Sequence, residues 1–362
     1  MSFPQQAFVV AMLLVACANG TESSGQPPSE QFDGGGNDGS VACAEDLASN
    51  SLNCGACGHD CLGAACTAGV CQPTVIGDVQ GFLPPHGLAI GSSDVFFYGP
   101  YDSLLGRFSK YGGPMQTYGN TGARPTGVGV HGESLYWSVD LWVGHTVGTR
   151  PIVGGDSEFG GKGTFGSTIA VDADGVFISE LTTIAGAVKE GVIGRYSHDL
   201  QQHEFLFAED YAVLLVSTKT QLVWISEYYP SYVIAGSKTI APGEPVLTHA
   251  RQKLAVPAQG NIVGLAANLT DAYVTDGSTL WRVPLSGSQP TALLSNAQAS
   301  SVAVDDSGVY VTTSNSVLRI DLEQSSKVQS IAKGQDAPRA VTTDEQFVYW
   351  INAETRVTKV AK

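Results

Sequence analysis

Basic residues are scarce in this chain of 362: 19 Lys and Arg stand against 34 Asp and Glu, a formal net charge of −15. A chain so acidic offers no electrostatic footprint for a nucleic-acid backbone, which excludes nucleic acid as a partner. Long apolar runs are missing too. No stretch reaches 18 residues, so no membrane-spanning helix is expected. The sequence holds no Gly-x-Ser-x-Gly, no phosphate-binding P-loop and no dinucleotide fingerprint, so the most legible hydrolase, nucleotidase and dehydrogenase signatures are absent. Cysteine does not occur after position 71. What is present is 43% hydrophobic residues and 43 glycines, enough for a sizeable core joined by many tight turns.

The first forty residues read as address and tether. Phe8 to Ala16 is a short apolar run ending at Cys17, a length that suits a signal-peptide core (1–16) and cannot span a bilayer. Leu14-Val15-Ala16-Cys17 resembles the lipobox of bacterial lipoproteins, and the resemblance implies diacylation of Cys17. Residues 17–40 are dominated by Gly, Ser, Pro, Asn and acidic residues, which cannot form a core and suit a flexible tether. Two acyl chains anchor stably where one binds only marginally. Ala18 follows the lipidated cysteine; by resemblance to enterobacterial sorting, the absence of Asp there implies the outer membrane of an envelope.

Setting Cys17 aside, six cysteines remain within 41–73: Cys43, Cys54, Cys57, Cys61, Cys66 and Cys71. An even, dense cluster behind an export signal reads as a small module stapled by three disulfides, with 15 possible connectivities. Cys54-x-x-Cys57 with His59 nearby also fits a zinc site, although exported thiols oxidise; His59 is then expected to be a solvent-exposed loop residue. The run Asn53 to Cys61, continuing through Cys66 to Cys71, resembles the Cys-rich segments of secreted myxobacterial proteins and the plant stigma-specific cysteine-rich family.

From residue 74 onward one unit repeats: an apolar strand, a tight polar turn, then an apolar strand with an aromatic near its start. Aligned on Phe96, Tyr136, Phe177, Val223, Tyr273, Tyr310 and Tyr349, the copies fall 40, 41, 46, 50, 37 and 39 residues apart. That spacing is the period of a four-stranded propeller blade. Asp174-Gly175 and Ser307-Gly308 supply the turn residues that hairpins need. Third strands follow most pairs, often with a central basic residue, and short fourth strands come next; blades two and four show them least clearly. After the third strand of the last copy no fourth remains, whereas 74–80 has no partner at the other end. The expected fold is therefore all-β: a seven-bladed β-propeller over 74–362, its ring closed by the N-terminal strand, preceded by the disulfide module.

Ala272-Tyr273-Val274-Thr275 and Val309-Tyr310-Val311-Thr312 resemble YVTN-type bacterial surface repeats. Leu135-Tyr136-Trp137-Ser138 and Val348-Tyr349-Trp350-Ile351-Asn352 are similar to YWTD repeats, and Thr168 to Gly175 resembles NHL repeats. In such propellers the ligand face is built from the fourth-to-first and second-to-third strand loops. Those loops collect here His86, Arg124, Asp210 and Arg339, then Asp140, Trp142, His145, Glu180, Glu227, Tyr228, Tyr229, Asp276 and Asn352. An aromatic and carboxylate-rich rim suits a sugar, peptide or cation.

Two calcium-like motifs, Asp172-Ala173-Asp174-Gly175 and Asp305-Asp306-Ser307-Gly308, lack the closing Glu at the twelfth position, which is Thr183 or Ser316. They read as hairpin turns, as does Asn268-Leu269-Thr270. The expectation is a monomeric, exported, lipid-anchored binding platform without a cofactor, held to the membrane by its lipid, for a protein, peptide or glycan of the cell envelope. The alternative is a metal-dependent lyase or lactonase on the same fold. By resemblance to streptogramin lyases and gluconolactonases, a central calcium or magnesium ion would then be held by Glu180, Glu227, His86 and His145.

Overall fold

The computed structural model describes residues 46–79, 86–99, 103–121, 123–140, 146–161, 165–183, 189–208, 210–240, 249–324, 327–353 and 355–362. The expected signal peptide, Cys17, the tether, Cys43, Trp142 and His145 lie outside them. Among the described residues there is no helix, and hence none long and apolar enough to cross a membrane.

Seven antiparallel four-stranded sheets follow one another along the chain. Blades 1 to 6 occupy 87–120, 124–160, 165–208, 212–255, 264–294 and 301–333. Blade 7 takes three strands from 339–361 and its fourth from Thr74–Asp78, which pairs with Arg356–Ala361. Each blade's first strand touches the first strand of the next, and the seventh touches the first, so the ring closes with no inner edge left open. Blades two and four carry third and fourth strands as well: Val147–Pro151 with Glu158–Gly160, and Tyr229–Ser237 with Arg251–Ala255.

The second strand of every blade is sandwiched by its neighbours on both faces. This explains its sequence, an unbroken apolar run rather than an alternation. Val95, Phe96 and Phe97 are fully buried, as are Val348, Tyr349, Trp350 and Ile351. In blades 1 and 2 the aromatic ring lies over a glycine directly across the ladder. A Cβ on Gly106 would fall 2.1 Å from the Phe97 ring, and one on Gly148 2.3 Å from that of Trp137.

At the end of the ring that carries the first-to-second strand hairpins, lysines lock consecutive blades. Lys238 of blade 4 meets Asp172 (2.7 Å) and Asp174 of blade 3. Lys362 of blade 7 meets Asp305 of blade 6, and Lys110 of blade 1 meets Asp344 of blade 7 at 2.6 Å. The two calcium-like motifs are thus hairpins in which the carboxylates of Asp172, Asp174 and Asp305 are taken by lysine ammonium groups. Asn268 is a turn residue too, its Oδ1 accepting from the Thr270 and Asp271 amides.

Two disulfides join Cys54 to Cys66 and Cys61 to Cys71, and Cys57 is also disulfide-bonded. The sulfurs of Cys54, Cys61 and Cys71 lie within 4.8 Å of one another, but oxidation leaves no thiolate to ligate zinc. His59 is half-buried rather than free, its Nδ1 against the Cys54 carbonyl. The module shares one apolar cluster with blades 6 and 7, where Tyr310, Ile331, Trp350 and Val360 pack with the cystines.

Candidate functional site at the mouth of the ring

The registers place the start of each first strand opposite the end of its second: Gly87 with Tyr98, Arg124 with Asp140, Gly264 with Thr275, Ser301 with Thr312, and Arg339 with Ile351. Both loop classes expected to form the ligand face therefore emerge at one end of the ring. There the axis opens into a cavity of about 520 Å³ lined by the first strands of all seven blades.

Hydroxyl groups stitch the blades together around this mouth. Tyr98 donates to the Thr126 carbonyl of blade 2 at 2.9 Å. The Thr126 hydroxyl donates to the Gly166 carbonyl at the head of blade 3 at 2.9 Å, so Ser138 must be the donor to Thr126. The Ser179 hydroxyl accepts from the Ala212 amide of blade 4 at 2.8 Å. Thr275 donates to the Ala299 carbonyl (3.1 Å) leading into blade 6, and Ser300 donates to the Pro338 carbonyl (2.9 Å) leading into blade 7. Ser138, Ser179, Ser226, Thr275 and Thr312 are fully buried in their second strands, and the last three are the final residues of theirs. Four of them are the hydroxyl positions of the Tyr-Val-Thr, Tyr-Trp-Ser and Phe-Ile-Ser repeats, and Ser226 ends the run Trp224-Ile225-Ser226. The signal was in the sequence, although the face was sought only in the loops.

His86 and Arg339 line the cavity. His86 is held below the ordinary imidazole range, first by desolvation and then by the positive charge of Arg339, so it is neutral near pH 7. The Nε of Arg339 is buried with no hydrogen-bond partner among the described residues. Burial pushes the Tyr98 phenol up to about 12, so it stays a neutral donor.

The other expected face residues stand at the same end but do not line the cavity. Arg124 is exposed and Asp140 half-exposed. Glu227 is exposed, as are Tyr228 and Tyr229, and Tyr229 lies under the Lys253 ammonium, 3.4 Å from its ring centroid. Asp276 is held well below the usual carboxylate range: burial pushes it up, but the amides of Gln259, Thr279 and Ser278 outweigh that. Buried Asn352 caps its turn, Oδ1 accepting from the Arg356 amide. Asp210 is completely buried, 3.0 Å from Arg251 Nε, and desolvation raises it.

Glu180 points into the body of the ring instead of its rim. Only 1% exposed, it accepts hydrogen bonds from Thr146 (2.7 Å) and Tyr196 (3.0 Å), with His203 Nε2 at 3.4 Å. Among the described residues the only His, Cys, Asp or Glu group close enough to share an ion is the cystine cluster, so Glu180, Glu227 and His86 do not converge. The loop assignment could not foresee this, because Glu180 lies within the second strand Gly175–Thr183, and the second strand of a blade is buried on both faces.

No protein-family model matches the chain, and no curated protein matches it in sequence. Solved structures do match. Virginiamycin B lyase from Staphylococcus aureus superposes with a TM-score of 0.60 at 12% identity, covering 80% of this chain and 99% of that one. The Pan2 WD40 domain of Neurospora crassa gives 0.60 at 8% identity, with 80% and 95% covered. YCF48 from Cyanidioschyzon merolae gives 0.58 at 11% identity, with 80% and 98% covered. At such identities the likeness shows the seven-bladed propeller fold and nothing about what this chain binds or transforms.

Proposed function

We propose that this protein is an exported envelope lipoprotein whose propeller is a non-catalytic binding platform, taking its ligand at the mouth of the ring. The observation that carries the reading is the cavity to which all seven first strands contribute. Its volume lies within the range of small-molecule sites, and a wall tied by hydroxyl bonds from blade to blade is preorganised, which lowers the entropic cost of binding. The exposed Tyr228 and Tyr229 extend the surface outward as aromatic contacts. A metal-dependent enzyme needs carboxylates and imidazoles convergent on the axis, whereas Glu180 is engaged by Thr146 and Tyr196.

A thermal melt of the protein, run with chelator, with calcium or magnesium, and then with a panel of short peptides and oligosaccharides, tests this reading. A ligand at a hundred times its dissociation constant stabilises the folded state by about 2.7 kcal/mol. The expected result is a rise with some member of the organic panel and none with the ions. A rise with metal alone would overturn the platform and favour the lyase or lactonase. Anchoring is tested apart: in a bacterial host, a radiolabelled fatty acid should be incorporated into the chain, and Cys17→Ala should abolish both the label and membrane fractionation. Label retained in Cys17→Ala would remove the lipoprotein reading.

A further inference from the structure

We propose that the mouth selects a small amphipathic carboxylate, its anionic head seated between His86 and Arg339 and its apolar body against the strand walls. The inference rests on the mouth being the ligand site and adds the chemical class of the ligand.

The lining carries it. Among the described residues that bound the cavity there is no Asp or Glu, and the two groups able to bear charge at ordinary pH, His86 and Arg339, are both basic. This stands out in a chain with 34 acidic residues and a net charge of −15. The remaining lining is apolar or hydroxylic: Leu88, Val128, Ile169, Leu265 and Val341 supply hydrocarbon, and Thr126 and Ser300 spend their hydroxyl protons on the blade junctions. Among the described residues the buried Nε–H of Arg339 has nothing to donate to, a costly state for a guanidinium that an oxyanion would relieve.

Guanidinium geometry favours a carboxylate, which presents two oxygens in the plane of the fork. The apolar walls favour a ligand with a hydrocarbon body over a bare inorganic anion. The acidity of the whole chain opposes anions only at long range. At physiological ionic strength the screening length is about 8 Å, so the local charge of Arg339 decides at the mouth, joined by His86 once a bound anion or a lower pH protonates it.

His86 also makes the site sensitive to pH. The other titratable groups of the lining are Arg339, which disfavours the imidazolium, and Tyr98, which is neutral. A bound carboxylate favours the imidazolium, so it raises the imidazole's protonation range in the complex. Affinity then increases as pH falls, by at most about tenfold for each unit that the range moves.

The test uses the intact chain with selectively labelled histidines, the His86 imidazole signal being assigned by its loss in His86→Gln. Octanoate, octanamide and inorganic phosphate are titrated at pH 7.5 and at pH 5.5. Octanoate is expected to move the His86 signal and to bind several-fold more tightly at the lower pH. Octanamide, with the same body and no charge, should bind at least about tenfold more weakly, and phosphate likewise. Arg339→Gln should weaken octanoate by a similar factor while its melt shows the ring still folded. If octanamide moves His86 as well as octanoate does, the anion assignment is overturned and the mouth remains a ligand site. Phosphate binding as tightly as octanoate overturns the amphipathic carboxylate. Silence from all three overturns the inference, and the melt panel then judges the platform separately. Octanoate binding that survives Arg339→Gln unchanged also overturns it.

Discussion

Ile76→Asp is expected to destabilise the propeller by about 3–5 kcal/mol, a drop in melting temperature of the order of 5–10 °C. Ile76 lies in the strand that closes the ring and is 3% exposed. It belongs to the cluster that joins blade 7 to blade 1, with Phe97, Phe108, Tyr349, Ile351 and Val357. The neighbouring Gly77 has no room for a side chain, since a Cβ there would fall 2.0 Å from the Phe108 ring. The segment is therefore clamped from both blades. A carboxylate at Ile76 loses the apolar contacts and is stranded without a partner. Because consecutive first strands touch all the way round, loosening the one covalently distant strand exposes blade 7's outer edge and weakens the cooperativity of the ring. Ile76→Val, which removes one methylene, should cost only about 0.5–1.5 kcal/mol. Thermal or urea unfolding of the two variants checks the comparison. Equal midpoints for Ile76→Asp and wild type would mean that Thr74–Asp78 does not hold the ring shut.

The second large effect is expected from Lys238→Met, at about 2–3 kcal/mol. Lys238 is 4% exposed, and its ammonium joins Asp172 and Asp174 of the adjacent blade. Breaking a buried pair from one side costs about 3–5 kcal/mol, because the other charge is left unpaired. The figure is reduced here because Asp174 is half in water and Asp172 a quarter exposed. A pH series separates charge from packing. Burial pushes Asp172 up, but Lys238 and Ser217 outweigh it, leaving the carboxyl below its ordinary value; Asp305 and Asp344 show the same balance with Lys362 and Lys110. A depressed carboxyl contributes stability that is present above its unfolded value, about 3.9, and is lost as pH falls through the folded one. Wild-type stability should therefore drop steeply below about pH 4, and Lys238→Met should show a shallower drop because Asp172 loses the largest of the groups that depress it. An unchanged acid profile in the variant would mean that the lock does not contribute through charge.

The locks also show where reading by residue type stops. Asp172-Ala173-Asp174-Gly175 is a turn in the sequence and a turn in the fold, yet its partner is a lysine 64 residues beyond Asp174. Nothing in the local pattern names Lys238, because the contact is created by the angle between blades. Glu180 teaches the same lesson from the opposite side. Its loop class put it on the rim, and burial of the second strand on both faces put its carboxylate against Thr146 and Tyr196 instead. The disulfide pairing, open among 15 arrangements in the sequence, was likewise decided by which cysteines the fold brings together.

What the sequence determined by itself is the ring. A strand–turn–strand unit recurring at about 42 residues can bury its apolar second strand only against copies of itself, so repetition alone dictated blades, their number and the need for a borrowed closing strand. What the tertiary structure decided is which of the many polar residues at the open end face the axis. Strand register places a residue at an end of the ring, whereas the twist and tilt of each blade set the direction of its side chain. Of thirteen residues that the loops proposed, His86 and Arg339 are the two that line the cavity among those described, and that selection is a property of seven blades meeting, invisible in any one of them.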